Sequence, residues 1–232
     1  MDAETHVALD LPGARVLFTT RHGGVSRGPY ASLNLGSWTD DHADAVGENR
    51  RRAAALAGAT LQQGRQVHGA RVAVDAGAAV HEADGQVATR TAGAGFAPIV
   101  LTADCLPIAL SGPEGVAMLH GGWRGLAAGI VAEGVGALGG RIDGAAIGPG
   151  AGACCYEAGE EVHAAFAHLG PQVRRGANAD LKAVARAQLT EAGVEPEQVL
   201  DTGLCTMCDE RFFSHRRDGG LTGRQGGIVW PR

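Results

Sequence analysis

The most informative stretch of the sequence runs from Pro98 to Gly125 and reads PIVLTADCLPIALSGPEGVAMLHGGWRG. Two apolar segments in this stretch flank SGPEG, a run of small and turn-forming residues. Aliphatic segments on both sides of such a turn predict a β-hairpin. In the register that we predict, Leu110 pairs with Val116.

The predicted hairpin brings a thiol and an imidazole together at its open end. Cys105 lies opposite His120 and Gly121, next to Asp104, and cross-strand partners have Cβ atoms about 4.5–5.5 Å apart. Two chemistries use such a pair: His120 can deprotonate Cys105 to make a nucleophile, or both can bind a metal such as Zn²⁺. A buried cysteine beside a hydrogen-bonded core histidine, with no chemical role, is the third alternative.

A second histidine lies upstream, in the segment QVHG at residues 66–69. Its glycine allows a ligand or the backbone to approach His68 closely, although a histidine in such a position is usually an ordinary loop residue. If His68 joins Cys105 and His120, the set has three protein ligands and an open fourth position. That pattern is typical of catalytic zinc, which activates water near neutral pH.

The other four cysteines form no obvious site in the sequence. Cys205 and Cys208 form a C-x-x-C, but no second C-x-x-C exists to complete a four-thiolate zinc site. Cys154 and Cys155 could join them only as an unusual adjacent pair, so a structural or incidental role is favoured. An odd number of cysteines, unevenly spaced, argues against a disulfide framework and predicts reduced thiols.

The composition excludes several classes of protein. A chain of 232 residues that is 45% hydrophobic can bury a sizeable core and is not disordered. Its net charge of −5 argues against general affinity for nucleic acid or anionic membranes. No apolar run approaches the roughly 20 residues that span a bilayer. Residues 1–6 carry no basic stretch followed by an apolar block, so we expect a cytoplasmic protein.

Strand and helix signals are interspersed without a regular βαβ repeat, which favours the α+β class over a doubly wound sheet. The predicted strands are Arg15–Thr19, Arg71–Asp75, Gln86–Thr89, Pro98–Ala103, Leu106–Ser111, Val116–His120, Ala145–Gly148, Gln198–Asp201 and Gly227–Trp230. The predicted helices are Ala43–Ala57, Leu126–Leu138, Glu157–His168 and Asp180–Ala192. No repeat or long linker divides them, so we expect one domain over residues 1–232.

Cationic contacts to a phosphate would have to come from arginine, because Lys182 is the one lysine of the sequence. Arg124 precedes a predicted helix N-terminus, where backbone N–H groups favour anions. Arg50, inside the first predicted helix, is more typical of a solvent-exposed cation. The arginines in glycine-rich loops are Arg21, Arg124, Arg216 and Arg217.

Ten short motifs follow one another along nearly the whole chain. They are TRHGGVS (20–26), SLNLG (32–36), ENR (48–50), QVHG (66–69), ADG (83–85), TADCLP (102–107), HGGWRG (120–125), CYEAG (155–159), DLK (180–182) and FFSHRRDG (212–219). Together they resemble the YfiH family. Its members were first described as multicopper polyphenol oxidases and later as purine nucleoside phosphorylases.

The resemblance implies a fold and a metal site. The family has a single α+β domain of packed mixed β-sheets covered by helices, related to the fold of certain cysteine-hydrolase-like toxins. Its zinc ligands fall here on His68, Cys105 and His120, two of which the predicted hairpin pairs independently.

The resemblance also implies an enzyme that acts on a purine nucleoside and phosphate, without a nucleic-acid or membrane partner, as a monomer or homodimer. The expected reactions are zinc-dependent phosphorolysis of adenosine, inosine and methylthioadenosine, and deamination of adenosine. Asp104 is the catalytic candidate for proton transfer, unless it only orients a zinc-bound histidine. The candidate substrate contacts are Asn34, Arg50 and Arg124.

Three other functions remain open at this point: a copper-dependent polyphenol oxidase, a metal-free cysteine hydrolase, and a factor that edits peptidoglycan precursors. Multicopper oxidation needs several clustered metal sites rich in imidazole. Only His68 and His120, of nine histidines, are readily placed together with a thiolate. Zinc is therefore favoured over copper.

Overall fold

A computed structural model of the chain describes residues 5–77, 81–92 and 95–232. The strands are β1 (His6–Leu11), β2 (Ala14–Thr19), β3 (Thr60–Gln63), β4 (Val72–Val74), β5 (Gly85–Thr89), β6 (Phe96–Thr102), β7 (Leu106–Gly112), β8 (Gly115–Gly121), β9 (Gly144–Ile147), β10 (Arg174–Arg175), β11 (Asn178–Ala179), β12 (Val199–Asp201) and β13 (Gln225–Pro231). The α-helices are α1 (Ala43–Ala57), α2 (Trp123–Ala127), α3 (Ile130–Ala137), α4 (Glu160–Phe166) and α5 (Leu181–Glu191). Short 3₁₀ helices cover Gly28–Tyr30, Arg90–Ala92, Ala167–Leu169, Pro171–Val173 and Pro196–Gln198.

The strands form two mixed sheets, which confirms the predicted α+β class. The first sheet has the order β1-β2-β13-β6-β3, and only its β3–β6 pair is parallel. The second has the order β12-β9-β7-β8-β5-β4, with parallel pairs at its two edges. Strands β10 and β11 form a separate antiparallel ribbon.

Alternation of side chains along the strands produces three apolar cores. Val16 and Phe18 of β2 face Met118 of β8 in a core between the two sheets, whereas Leu17 points the other way. That outer face of the first sheet packs against Ala53 of α1. The outer face of the second sheet packs against the remaining four helices. Successive side chains of a strand point to opposite faces of its sheet, and both faces of each sheet are buried here. The layers therefore follow in the order helix α1, first sheet, second sheet, helices α2–α5. None of the described helices is long and apolar enough to cross a membrane.

The hairpin forms as predicted, but its register differs by one residue. Leu110 pairs with Ala117 rather than Val116, because Gly112 and Gly115 continue the strands and leave a two-residue turn. Glycine is needed at position 115, where φ is +152° and a Cβ would lie 2.3 Å from the carbonyl oxygen of Ala88.

Each of the nine predicted strands coincides with an observed one, and α1 has the predicted bounds. The prediction of one continuous helix over Leu126–Leu138 was wrong, because Gly129 at φ +89° separates two helices, α2 and α3. The helix predicted over Glu157–His168 was too long, because Glu157 forms a β-bridge with Asn178 and the chain turns into a 3₁₀ helix after Phe166. Strands β1, β3, β10 and β11 were not predicted.

Candidate metal centre and cavity

His68, Cys105 and His120 converge at the end of the second sheet. His68 lies in the loop before β4, Cys105 in the turn between β6 and β7, and His120 in β8. One ligand atom from each lies within 4.8 Å of the other two, and the ring centroids of the two histidines are 4.8 Å apart. The three residues form a group that could hold a metal ion.

The carboxylate of Asp84 holds the His120 ring and the backbone of His68. Its Oδ1 accepts hydrogen bonds from His120 Nδ1 at 2.8 Å and from the His68 amide at 2.9 Å. Its Oδ2 accepts from the amides of Val67, at 3.0 Å, and Gly69, at 2.8 Å. Because His120 uses Nδ1 to donate to Asp84, Nε2 is the ring nitrogen left to bind a metal, which it can do once it has released its proton. Asp84 was not predicted from the sequence, where its one signal is the ADG motif at the start of β5.

Charge stabilisation between Cys105 and His120 is strong. Burial disfavours the charged form of both groups, yet each group stabilises the opposite charge of the other. As a net result, the pKa of the Cys105 thiol falls to about 6 and the pKa of His120 rises to about 9. A hydrogen bond between His68 and Cys105, and one between His120 and Asp84, add to these shifts. Cys105 is therefore a thiolate at neutral pH, the form that binds metals and attacks electrophiles.

This charge pairing predicts an unusual reactivity of Cys105 in the metal-free protein. Its alkylation rate should rise through a pH of about 6, because the thiolate populates above its lowered pKa. Cys208 is the internal control, because the pKa of its thiol is raised to about 11, mainly by a hydrogen bond with Cys155. Iodoacetamide labelling against pH, read by peptide mass spectrometry, measures both. A Cys105 midpoint at the ordinary thiol value of about 8.5 would contradict the pairing.

Two of the three non-glycine residues that have a positive φ in the described part of the chain lie at the same place. His68 has φ +61° and Asp104 has φ +92°, a left-handed conformation that non-glycine residues rarely adopt and that costs about 1–3 kcal/mol. Asp104 is held in it by hydrogen bonds from Thr206 Oγ1 at 2.7 Å and from the Arg216 amide at 2.8 Å. Such strain clusters at functional sites. At Gly122, a Cβ would lie 2.9 Å from the His68 ring and 3.1 Å from Cys105 Sγ, so only glycine fits there.

A cavity of about 400 Å³ opens over these residues. Its lining includes the three potential ligands and Asp104, together with two aromatic side chains, Trp38 and Tyr156. Trp38 is 62% exposed, a high value for an indole ring. The remaining lining residues are mostly polar: Gly36, Thr39, Gln63, Gln66, Leu101, Thr102, Ala103, His215, Arg216 and Arg224.

The three predicted substrate contacts lie outside this lining. Asn34 is fully buried, and its Oδ1 accepts a hydrogen bond at 2.9 Å from the amide of Arg224. Arg50 donates to Gln63 Oε1 at 2.5 Å. Asn34 and Arg50 thus support lining residues from behind, and their direct contact with substrate stays a prediction.

Arg124 is exposed, and its guanidinium lies 4.5 Å from the centre of the Trp123 ring. Its contact with substrate likewise stays a prediction. The arginines that line the cavity are Arg216 and Arg224. The sequence analysis had marked Arg216 by its glycine-rich loop, but nothing in the local pattern marked Arg224.

The other four cysteines also converge, which opposes the incidental role that the sequence favoured. The sulfur atoms of Cys154, Cys155, Cys205 and Cys208 all lie within 4.8 Å of one another. The adjacent pair joins the C-x-x-C because a parallel bridge pairs Gly150 with Cys205. Of the residues that the structure describes, two groups therefore could hold a metal.

Comparison with known proteins agrees with this architecture. The sequence profile of the family described as multi-copper polyphenol oxidoreductase laccase matches residues 15–232. The chain belongs to this YfiH/laccase-domain family. A purine nucleoside phosphorylase of Pseudomonas aeruginosa is 40% identical in an alignment 230 positions long that covers 93% of this chain and 93% of the relative. The purine nucleoside phosphorylase YfiH of Escherichia coli is 37% identical over 94% of each chain.

Solved structures of the YfiH family are similar over their whole length. YlmD from Geobacillus stearothermophilus superposes with a TM-score of 0.88 at 34% identity, covering 100% of this chain and 98% of its own. Neisseria meningitidis protein NMB0706 gives a TM-score of 0.88 at 34% identity, covering 98% and 99%. The family and fold that the sequence motifs predicted are therefore confirmed.

Proposed function

We propose that this protein is a zinc-dependent purine nucleoside phosphorylase that also deaminates adenosine. The observation that carries the proposal is the convergence of His68, Cys105 and His120 on a cavity that also presents two arginines and two aromatic rings. The names of the Pseudomonas and Escherichia relatives support the same class of reaction.

The chemistry of the donor set fits zinc. Two imidazoles and one thiolate are zinc ligands, and a carboxylate such as Asp84, bonded to the second ring nitrogen of a histidine, is the usual outer partner of a zinc-bound imidazole. His68, Cys105 and His120 would hold the ion. When bound by three protein ligands, zinc supplies a Lewis acid with an open coordination position.

The aromatic and cationic residues suit the two substrates. A cavity of about 400 Å³ lies in the size range of small-molecule sites. We assign the purine to the faces of Trp38 and Tyr156, and the phosphate to Arg216 and Arg224. Arg216 lies with its guanidinium 5.2 Å from the centre of the Tyr156 ring, which would bring the phosphate close to the nucleoside.

In phosphorolysis a phosphate oxygen bonds to C1′ of the ribose as the bond from C1′ to the purine nitrogen breaks. The electron pair of that bond leaves with the purine, which takes up a proton. The two arginines hold the phosphate and offset its charge, and Asn34 fixes the backbone of Arg224 from behind.

In deamination water adds to C6 of adenosine and ammonia leaves. We assign the proton transfer to the carboxylate of Asp104, which lines the cavity. Its two hydrogen bonds, from Thr206 and the Arg216 amide, fix the carboxylate in position. Asp104 would take a proton from the attacking water and pass it to the departing amine.

Arg224→Gln should separate the two activities. Losing one charged contact to phosphate, worth about 1.5–3 kcal/mol, should raise the KM for phosphate by roughly tenfold or more. Deamination uses no phosphate and should change far less. Arg141→Gln is the control, because Arg141 is exposed and pairs with Asp143 away from the cavity. Equal loss of both activities would contradict the assignment of Arg224 to phosphate.

The proposal is tested by incubating zinc-loaded protein with adenosine, with and without phosphate. Adenine should form only with phosphate, and inosine should form without it. If neither product forms, the proposal fails.

The Cys105–His120 pair favours a second candidate, a cysteine hydrolase that needs no metal. Its lowered thiol pKa is typical of a catalytic nucleophile. Chelation separates the two candidates: removing zinc should abolish phosphorolysis, whereas a metal-free hydrolase would keep its activity and lose it on alkylation of Cys105. The multicopper oxidase is disfavoured because its chemistry needs several clustered sites rich in imidazole, whereas only one of the two metal-capable groups among the described residues contains imidazole.

A further inference from the structure

Four thiols lie close together on the loops that carry Tyr156 and Thr206. Cys155 Sγ is 3.0 Å from Cys208 Sγ, and Cys154 Sγ is 3.5 Å from the sulfurs of both Cys155 and Cys208. Cys205 completes the group within 4.8 Å. Four sulfurs bound to one zinc at about 2.3 Å would be about 3.8 Å from one another. Three of the observed separations are slightly shorter than that value, and all of them lie within 4.8 Å.

The backbone around Cys205 is arranged as at a bound thiolate. The amide of Cys208 donates a hydrogen bond to its carbonyl oxygen at 3.2 Å, and the amide of Gly152 donates one to its sulfur at 3.2 Å. Amide hydrogen bonds of this kind stabilise a charged sulfur and orient it toward a shared centre. A Cβ at Gly152 would lie 3.2 Å from both Cys154 Sγ and Cys205 Cβ, so the chain approaches the thiols closely there.

We propose that Cys154, Cys155, Cys205 and Cys208 bind one zinc ion in a closed, structural site. Each thiol releases its proton to solvent as the ion binds, and four thiolates leave no open coordination position. Cys154 and Cys208 are exposed, so the ion can enter from solvent. The inference is independent of the proposed activity.

This site would tie together the two loops that build one wall of the cavity. Cys155 precedes Tyr156, which lines the cavity, and Cys205 precedes Thr206, which donates to Asp104. Two backbone hydrogen bonds also join these loops, from the Thr206 amide to the carbonyl of Gly150 at 3.1 Å and from the Gly150 amide to the carbonyl of Leu204 at 3.4 Å. A bound zinc would therefore fix Asp104 and Tyr156 relative to each other.

Metal analysis of the full chain tests the proposal. Wild-type protein should contain about two zinc ions per chain, and the double variant Cys154→Ser/Cys208→Ser about one, with a melting temperature lower by roughly 5 °C or more. Cys105→Ala should also contain about one zinc, the one at the four cysteines. If the double variant keeps as much zinc as the wild type, the proposal is overturned.

Cys105→Ala gives a second measurement that does not depend on the folding of the double variant. X-ray absorption at the zinc edge should give four sulfur ligands and no imidazole in this protein. Imidazole ligation, a Cys105→Ala protein without zinc, or a disulfide between Cys155 and Cys208 in protein isolated under reducing conditions would overturn the proposal.

Discussion

Cys105→Ala should remove the zinc at the His68–Cys105–His120 group and lower phosphorolysis by roughly a thousand-fold. The thiolate is the anionic member of the set, and its loss leaves two neutral imidazoles with too little charge and too few donors to retain the ion. Zinc content after gel filtration and the rate of adenine release measure the two effects. Zinc at the four-cysteine site is unaffected, so the loss is one ion per chain.

Ser111→Ala is the matched control for Cys105→Ala. Ser111 is fully buried in β7, the strand that follows Cys105, and lies at the turn end of the hairpin. Its hydroxyl makes only a 3.4 Å contact with the carbonyl of Gly144. Zinc content and activity should remain near wild type. A Cys105→Ala protein that keeps both zinc ions would remove Cys105 from the proposed ligand set.

Asp84→Asn should have the second-largest effect, on both stability and metal affinity. The buried carboxylate accepts four hydrogen bonds, whereas asparagine offers one acceptor oxygen and turns an NH₂ group toward existing donors. Leaving buried donors unpaired should lower the free energy of unfolding by roughly 2–4 kcal/mol. Zinc affinity should fall about 10- to 100-fold, as for other outer-shell carboxylates. Urea unfolding and chelator competition measure these changes.

Asp75→Asn is the control for Asp84→Asn. Asp75 also accepts from a backbone amide and a side chain, both of Thr89, but in an exposed position. Water can replace these bonds, so the loss of stability should stay below about 1 kcal/mol. If Asp84→Asn is no more damaging than Asp75→Asn, the orienting role of Asp84 is wrong.

Local signals were sufficient for much of the fold. The hairpin β7–β8 follows from two aliphatic segments around a turn, and α1 ends where predicted because Gly58 adopts the left-handed conformation at its C-cap. The register could not be predicted because Gly112 and Gly115 extend the strands into what the sequence presents as a turn. Both glycines lie close to backbone that is distant in sequence, at Arg141 and Ala88 respectively. Strand β1 was missed although Val7, Leu9 and Leu11 alternate along it and pack toward the core between the two sheets.

The candidate site was predictable where the hairpin itself placed residues together, as with Cys105 and His120. Asp84 was not, because its bond to His120 joins residues 36 apart in the sequence. The four cysteines escaped prediction for the same reason, since 53 residues separate Cys155 from Cys208. Contacts that tertiary structure alone creates leave little trace in local spacing.

The central claim is that the zinc centre serves a phosphorolytic reaction on purine nucleosides. Phosphorus-31 NMR of zinc-loaded protein with adenosine and phosphate tests it most directly. A sugar-phosphate signal should grow in equal amount with free adenine, and it should disappear on chelation and in Cys105→Ala. Release of adenine without a new phosphorus signal, or no turnover by zinc-loaded protein, would contradict the proposed function.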